Sequence, residues 1–260
     1  MGPYTYETIG AGYGHHRRAD PRLVQQAIHL LALPRGSMVV DVGAGTGNYA
    51  MACVTHGYRV IGVDPSRVML HQAASTSQVQ WIAGVAEALP LAAGAGDGIL
   101  CMLAIHHVRS VPAALREMRR VVPAGPLAIF TFDPRLSEPW WFDAYFPTLW
   151  QDAFRAFPPI DELIRQVQAS AGYSVDVVPF ALPPDLVDRF GAAGWHRPEI
   201  YLDPAVRASM SCFALGDQGA VESGVVRLAR DLEGGIWRRQ HADLLQRQSF
   251  DAGYRFIIAR

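Results

Sequence analysis

The sequence predicts an α/β fold: a doubly wound, seven-stranded and mostly parallel sheet with a largely helical cap insertion. Over residues 37–134, short and nearly all-apolar runs alternate with helical patterns, as expected for strands buried on both faces of a parallel sheet. Two alternating runs follow near residues 173–182 and 254–259, separated by about 70 residues of mainly helical pattern. Repeated strand–helix units of this kind indicate helices on both sides of the sheet.

Composition limits the classes of protein that need to be considered. The 260 residues, half of them apolar, suffice for one large domain with insertions or for two small ones. The net charge of −1 argues against a nucleic-acid partner. All 23 residues counted as lysine or arginine are arginine, and the absence of lysine excludes chemistry that needs a lysine amine. Three separated cysteines, no recognisable leader and no long apolar run predict a cytoplasmic protein without a membrane partner.

Three zones follow one another along the chain. Residues 1–36 form an N-terminal helical cap segment, in which Asp20-Pro21 is typical of a helix start. Residues 37–134 form the ligand-binding core, and residues 135–260 complete the sheet and add the cap. Core strands are predicted at Met38–Val42, Arg59–Val63, Val79–Ala83, Gly98–Leu103 and Leu127–Phe132. Helical patterns lie at Tyr49–His56, Ser66–Ala74, Val111–Val122, Ile160–Ala171, Ala205–Ala214 and Val221–Leu232.

The most informative segment joins the first strand to the helix that follows it. Here Gly43, Gly45 and Gly47 occupy alternate positions, which permits a tight turn and lets a ligand lie against bare backbone. A dinucleotide-binding loop has the pattern Gly-x-Gly-x-x-Gly, and its third glycine, counted from Gly43, would stand where this chain has Asn48. The NAD pattern therefore fails, and an NAD-dependent oxidoreductase is the weaker alternative.

The second strand ends in an acidic residue, Asp64, 17 residues after Gly47. A carboxylate at this strand tip can accept hydrogen bonds from both ribose hydroxyls of an adenosine that lies across the sheet. An aspartate here would also suit the cap of a helix beginning at Pro65, and the two roles are compatible.

Four ordered motifs resemble those of class I S-adenosylmethionine-dependent methyltransferases of the ubiquinone/menaquinone-biosynthesis type. They are Val39–Tyr49, Trp81–Pro90, Gly98–Val108 and Ala114–Gly125, within about residues 37–133. The first contains Gly-x-Gly-x-Gly shortly after Asp41. The resemblance implies a Rossmann-like core, S-adenosyl-L-methionine as methyl donor and S-adenosyl-L-homocysteine as its product.

The resemblance also implies roles for individual residues. Near the methionine end of the cofactor it places Asp41, Gly43, Gly45, Thr46, Leu103 and Ala104, with Asp64 at the ribose and Val85 and Ala86 at the adenine. Further cofactor contacts are expected at Ala44, Pro65 and Glu87. Many relatives carry Asp or Asn where this chain has Val85, so one polar contact worth about 0.5–1.5 kcal/mol is absent. In similar enzymes the N-terminal segment folds over the cofactor, which implies Tyr13 and Arg17 as contacts; a frayed tail is the alternative.

Methyl transfer from a sulfonium is an in-line displacement, so its rate depends on holding donor and acceptor aligned and dry. A hydroxyl or acidic-carbon acceptor would also need a base, for which His106 and His107 after the fourth strand are candidates. Capping of the strand end is the alternative role, and at most one of the two adjacent rings is expected to face the acceptor. No metal site is predicted, because the histidine pairs lack carboxylate or cysteine partners at ligand spacing.

Together these features predict a methyltransferase that acts on a small, largely apolar metabolite. Eight of the 26 aromatic residues lie between Trp140 and Phe157; most are expected in the core of the cap, with one or two lining the acceptor cavity. A non-catalytic S-adenosylmethionine-binding protein is an open alternative, because methyl transfer needs no universal catalytic side chain. An RNA substrate is disfavoured by the charge balance.

Overall fold

A seven-stranded sheet forms the centre of the protein in a computed structural model that describes residues 17–73, 76–171 and 174–260. The order of the strands is β3-β2-β1-β4-β5-β7-β6, and the predicted doubly wound α/β fold is thereby confirmed. The strands are β1 (Met38–Val42), β2 (Arg59–Asp64), β3 (Val79–Ala83), β4 (Gly98–Met102), β5 (Leu127–Phe132), β6 (Val175–Pro179) and β7 (Tyr254–Ala259).

The sheet is parallel from β3 to β5, and its last two strands are antiparallel to their neighbours. The chain moves outward from β1 to β3 and then returns to place β4 on the other side of β1. In open sheets of this type, ligands bind outside the carboxyl ends of the strands where the order reverses. The segments that follow β1 and β4 therefore border the same crevice.

Helices cover both faces of the sheet and form the cap. They are α1 (Pro21–Leu31), α2 (Asn48–Thr55), α3 (Arg67–His71), α4 (Val111–Val121), α5 (Phe142–Tyr145), α6 (Pro147–Ala156), α7 (Ile160–Ala171), α8 (Pro204–Ala208), α9 (Ser211–Leu215), α10 (Gln218–Glu233) and α11 (Ile236–Gln240). Short 3₁₀ helices lie at Ile105–His107, Pro134–Leu136, Pro198–Leu202 and Leu244–Gln246. Among the described residues, no helix combines the length and the apolar character that a membrane span requires.

The apolar core is divided in two by the sheet. Successive residues of a strand point to opposite faces, so Val39 and Leu100 join one cluster while Val40 and Ile99 join the other. The central strands are buried on both faces, which explains why their sequences are continuous apolar runs rather than alternating ones.

Several predicted elements are shorter in the structure. The fourth strand ends at Met102, because Leu103 adopts a left-handed backbone with φ of 51°. The strand predicted near 173–182 is Val175–Pro179 in the structure. Beyond it, Phe180 still donates to the carbonyl of Tyr254, and Leu182 forms only an isolated bridge with Phe250. The helix predicted over 66–74 is Arg67–His71.

The helix predicted over Ala205–Ala214 was wrong as one continuous element. The structure has two short helices, α8 and α9, separated by Ser209 and Met210. The Ser209 hydroxyl donates to the carbonyl of Val206 at 2.7 Å, a local bond that competes with helix continuation, and Met210 is extended.

Candidate active site

The loop after β1 turns sharply through three glycines. Gly43, Gly45 and Gly47 have φ values of 77°, 57° and 80°, which are left-handed conformations that favour glycine. A Cβ atom on Gly43 would lie 2.3 Å from the Cβ of Ala104, so the loop approaches the segment after β4 as closely as two backbones allow. The sequence pattern of alternating glycines therefore has a direct steric reason.

Asp64 ties this loop to the tip of β2. One of its carboxylate oxygens accepts from the backbone N–H of Gly45 at 2.8 Å, and the other accepts from the N–H of Ser66 at 2.8 Å. The helix cap proposed for Asp64 belongs instead to Ser66, whose hydroxyl accepts from the N–H of Met69. The carboxylate of Asp64 is buried and shapes the cavity that it lines.

A cavity of about 330 Å³ opens between the glycine loop and the carboxyl ends of β2 and β4. We call it the donor cavity, after the cofactor contacts predicted from the sequence. Every predicted cofactor contact within the described residues lines it: Arg17, Asp41, Gly43, Ala44, Gly45, Thr46, Asp64, Pro65, Val85, Ala86, Glu87, Leu103 and Ala104. Tyr13 lies outside the described residues. The sequence reasoning missed further lining residues, among them Asn48, Tyr49, Ser66, Met69 and Asp188.

Asp41 is the most unusual charged group of this cavity. Its side chain is buried, and its Oδ2 atom has no hydrogen-bond partner among the described residues. Burial, followed by the negative charge of Asp64, raises the pKa of Asp41 to about 7, although a hydrogen bond from the N–H of Ala50 acts in the opposite direction. A buried carboxyl group in this state suits a cationic ligand group, which would stabilise the ionised form.

The buried carboxyl of Asp41 predicts a pH dependence of the unfolding free energy. Its pKa is about 7 in the folded chain, against an ordinary value of 3.8, so folding takes up a proton between these pH values. The unfolding free energy of the ligand-free protein therefore decreases as pH rises from about 4 to 7. The variant Asp41→Asn lacks this group and is the reference. We expect the melting temperature of wild type relative to that of Asp41→Asn to be lower at pH 7 than at pH 4, by about 3 °C or more. A constant difference would contradict this prediction.

The part of the cavity predicted to face adenine is largely apolar. Val85 is 38% exposed and offers only its side-chain methyl groups and backbone. The carboxylate of Glu87 accepts from the backbone N–H groups of Arg109 and Ser110 at 2.7 and 3.2 Å. Glu87 thus holds the turn before α4 in place while it also lines the cavity.

A buried ion pair closes the other side of the donor cavity. Asp188, whose side chain is 1% exposed, accepts from Nε of Arg17 at 2.5 Å and from Nη2 at 3.3 Å. The hydroxyl of Tyr49 donates to the same carboxylate at 2.7 Å. This contact joins the N-terminal segment, helix α2 and the cap, which are far apart in sequence, and no local pattern marks Asp188 as part of a site.

A second cavity, of about 90 Å³, adjoins the donor cavity. We call it the acceptor cavity, after the expectation that residues of the aromatic cluster line the acceptor site. Three residues line both cavities: Arg17, Leu103 and His107. The remaining walls are mainly aromatic, from Phe132, Trp140, Phe142, Trp150, Phe157, Phe190 and Tyr254. Four residues of the Trp140–Phe157 cluster reach this cavity, more than the one or two expected, while Trp141, Tyr145 and Phe146 are buried in the cap.

The two candidate histidines lie at the border of these cavities. His106 lines only the acceptor cavity, whereas His107 lines both. Their ring centroids are 3.9 Å apart, and the ring of His106 is 4.1 Å from that of Phe157. Burial, followed by the charge of His107, holds the pKa of His106 well below its ordinary value, and burial lowers the pKa of His107 to about 4. Both rings are therefore neutral at pH 7. Both border the acceptor cavity, and that at most one of them faces the acceptor stays a prediction.

The described ranges contain no group of three or more His, Cys, Asp or Glu side chains that could hold a metal ion.

Comparison with known proteins agrees with this geometry. Residues 40–130 match the methyltransferase domain family. The ubiquinone/menaquinone biosynthesis C-methyltransferase of Rubrivivax gelatinosus is 33% identical over 64% of this chain, and the match spans 63% of its own length. The 2-phytyl-1,4-naphtoquinone methyltransferase of Thermosynechococcus vestitus is 29% identical over 68% of this chain and 80% of its own length.

A solved structure extends the similarity to almost the whole chain. It is that of a methyltransferase from an antibiotic biosynthesis pathway of Anabaena variabilis, 44% identical, with a TM-score of 0.92. The match covers 94% of this chain and 99% of that one. The order of the strands, the glycine loop and these relatives together show that the chain belongs to the class I S-adenosylmethionine-dependent methyltransferases.

Proposed function

We propose that the donor cavity binds S-adenosylmethionine, that the acceptor cavity holds the methyl acceptor, and that the enzyme methylates a small, largely apolar metabolite. The observation that supports this most is the direct contact of the two cavities at Arg17, Leu103 and His107. Methyl transfer requires the donor and the attacking atom to meet in line, away from water. Two adjoining cavities with three lining residues in common would place the donor and the acceptor next to each other.

The residues of the donor cavity fit the cofactor. Gly43 and Gly45 line the cavity with backbone alone, so the methionine end could lie directly against the main chain. Asp41, with an oxygen that lacks a partner in the described part of the chain, would hold the ammonium group, and Asp64 would accept from the ribose hydroxyls. Val85 would pack against adenine without a polar contact. When bound, the cofactor supplies a methyl group on a positively charged sulfur.

The walls of the acceptor cavity indicate the character of the acceptor. Its lining in the described chain includes no Asp or Glu, and the guanidinium of Arg17 is paired with Asp188. A protonated amine would lose its hydration there without a counter-charge, whereas a flat apolar group would contact aromatic faces. The two relatives named for quinones support an acceptor of this kind.

One of the two histidines would serve as the base when the acceptor atom carries a proton that must leave. A neutral imidazole at the border of the cavities can take the proton of a hydroxyl or an acidic carbon as the methyl group arrives. With a substrate of this type, His106→Gln or His107→Gln should lower the rate about 100-fold or more. The variant of the other histidine is the matched control, and equal activity of both variants and wild type would exclude a base at this position.

The low pKa values of these histidines also predict an unusual pH profile. Because burial lowers the pKa of His107 to about 4, the base stays unprotonated well below the pH at which an ordinary histidine gains a proton. At saturating cofactor, the methyl-transfer rate should therefore be flat from pH 8 down to about 5. A fall in rate with a midpoint near pH 6.5 would place the base on an exposed, unperturbed group.

Cofactor choice and catalysis are tested separately. Titration calorimetry of the wild-type protein should show binding of S-adenosylhomocysteine and no binding of NADH; the reverse pattern would overturn the proposed function. Incubation with S-adenosylmethionine labelled in its methyl group and fractionated apolar metabolites should then give a labelled product. Cofactor binding without any labelled product across aromatic, hydroxylated and carbon-acid acceptors would favour the non-catalytic alternative.

A further inference from the structure

Leu103 has a backbone conformation that is unusual for its residue type. Its φ of 51° is left-handed, and among the described non-glycine residues only Ala32 shares this feature. Ala32 ends helix α1, where a left-handed residue is a common way to stop a helix. Leu103 instead follows β4, and its branched side chain makes the left-handed conformation costly.

The turn at this position does not require a leucine. Glycine would adopt the same backbone conformation without strain, as Gly43, Gly45 and Gly47 do on the neighbouring loop. The backbone of Leu103 is fixed by a 2.8 Å hydrogen bond from its N–H to the carbonyl of Phe130. Glycine would relieve the backbone strain but would remove a side chain that packs against the apolar cluster, so the side chain of Leu103 is the part that offers a reason for the strain.

The position of this side chain supplies the reason. Leu103 lines both the donor and the acceptor cavity, together with Arg17 and His107. Of these three residues it is the only apolar one, and it comes directly from the end of β4. Leu103 packs against the apolar cluster that includes Phe132, Trp140 and Tyr254 of the acceptor cavity. The left-handed backbone thus sets an apolar residue at the point where the two cavities meet.

We propose that Leu103 is a positioning residue whose side chain forms the partition between the donor and acceptor cavities. This inference rests on the proposed assignment of the two cavities. The partition keeps an apolar acceptor from sliding into the space of the cofactor's methionine end. It also excludes water from the junction, so that the attacking atom and the methyl group meet in one arrangement.

The partition can be tested by binding alone, with S-adenosylhomocysteine for the donor cavity and 1-naphthol as an aromatic probe for the acceptor cavity. In wild type, 1-naphthol should change the dissociation constant of S-adenosylhomocysteine by less than about twofold, because the two ligands occupy separate spaces. In Leu103→Ala and Leu103→Gly the probe should enter the donor cavity and compete. When 1-naphthol is present at ten times its own dissociation constant, the apparent dissociation constant of S-adenosylhomocysteine should then rise about tenfold.

Two controls separate the partition from backbone strain. Leu103→Met keeps an apolar side chain of similar volume, so 1-naphthol should again change the dissociation constant of S-adenosylhomocysteine by less than about twofold. Ala32→Gly relieves the same left-handed conformation at a distant helix end and should leave the competition assay unchanged. Leu103→Gly should melt about 2–4 °C above Leu103→Ala, because only glycine removes the strain while both remove the side chain.

Two results would contradict the proposed partition. One is competition between 1-naphthol and S-adenosylhomocysteine in wild type, and the other is the absence of competition in Leu103→Ala and Leu103→Gly as well as in wild type. A Leu103→Gly melting temperature at or below that of Leu103→Ala would contradict the strain. Failure of S-adenosylhomocysteine to bind wild type would instead count against the proposed donor cavity, so the two failures are distinguishable.

Discussion

Replacement of Asp64 by alanine should lower the affinity for S-adenosylhomocysteine at least about 100-fold, since hydrogen bonds to a charged acceptor contribute about 1.5–3 kcal/mol each. The variant loses the carboxylate proposed to accept from the ribose. It also loses the bonds to the N–H groups of Gly45 and Ser66, which set the shape of the loop. Titration calorimetry measures the loss. Asp64→Asn keeps one side-chain oxygen, so its affinity for S-adenosylhomocysteine should lie between those of Asp64→Ala and wild type.

Asp97→Ala is the matched control for this loss. The carboxylate of Asp97 accepts from the backbone N–H of Met38 at 2.7 Å, so its removal also frees a main-chain donor next to β1. That bond lies at the amino end of β1, opposite the donor cavity. Asp97→Ala should therefore reduce stability and leave cofactor affinity within about twofold of wild type. Similar affinities for Asp64→Ala and Asp97→Ala would show that Asp64 does not contact the cofactor.

Substitution of Gly43 by alanine should affect both stability and binding. A side chain at φ of +77° is strained, and its Cβ would lie 2.3 Å from the Cβ of Ala104, so the segment after β4 must move. We expect a loss of about 2–5 kcal/mol in unfolding free energy, from the left-handed backbone and from overpacking together. The same displacement would move Leu103 at the junction of the cavities, and methyl transfer should fall with cofactor affinity.

Gly94→Ala separates the cost of the left-handed backbone from the cost of overpacking. Gly94 has a similar φ of +72°, but no atom lies within 4 Å of the Cβ that alanine would add. Its cost should be limited to the backbone term of about 1–2 kcal/mol, with cofactor affinity unchanged. Denaturant unfolding of both variants measures the difference, and equal costs would mean that the approach of Gly43 to Ala104 is looser than the structure shows.

The donor side of the site could be predicted from the sequence because its information is local. A buried strand, a glycine loop and an acidic residue at the next strand tip are contiguous or nearly so, and each has a backbone reason for its residue type. Asp41, Gly43 and Asp64 accordingly line one cavity. The order and direction of the strands follow from the same repeated strand–helix pattern.

The acceptor side could not be predicted in the same way because it is assembled from distant segments. Arg17, which lines both cavities, is held by Asp188 across 171 residues, and nothing in the local sequence of Asp188 distinguishes it from a surface aspartate. The aromatic cluster predicted an aromatic cavity, but which of its residues line the cavity depends on tertiary packing. Trp140 lines the cavity, whereas its neighbour Trp141 is buried in the core of the cap. The left-handed backbone of Leu103 could not be predicted either, because the apolar run that contains it indicates a continuous strand.

A crystal structure of the protein with S-adenosylhomocysteine tests the assignment of the donor cavity most directly. We expect both ribose hydroxyls within hydrogen-bond distance of the Asp64 carboxylate, the ammonium group at Asp41 and the sulfur facing Leu103 at the entrance to the aromatic cavity. A nucleoside bound elsewhere, or one whose sugar makes no contact with Asp64 while the glycine loop stays empty, would contradict this assignment.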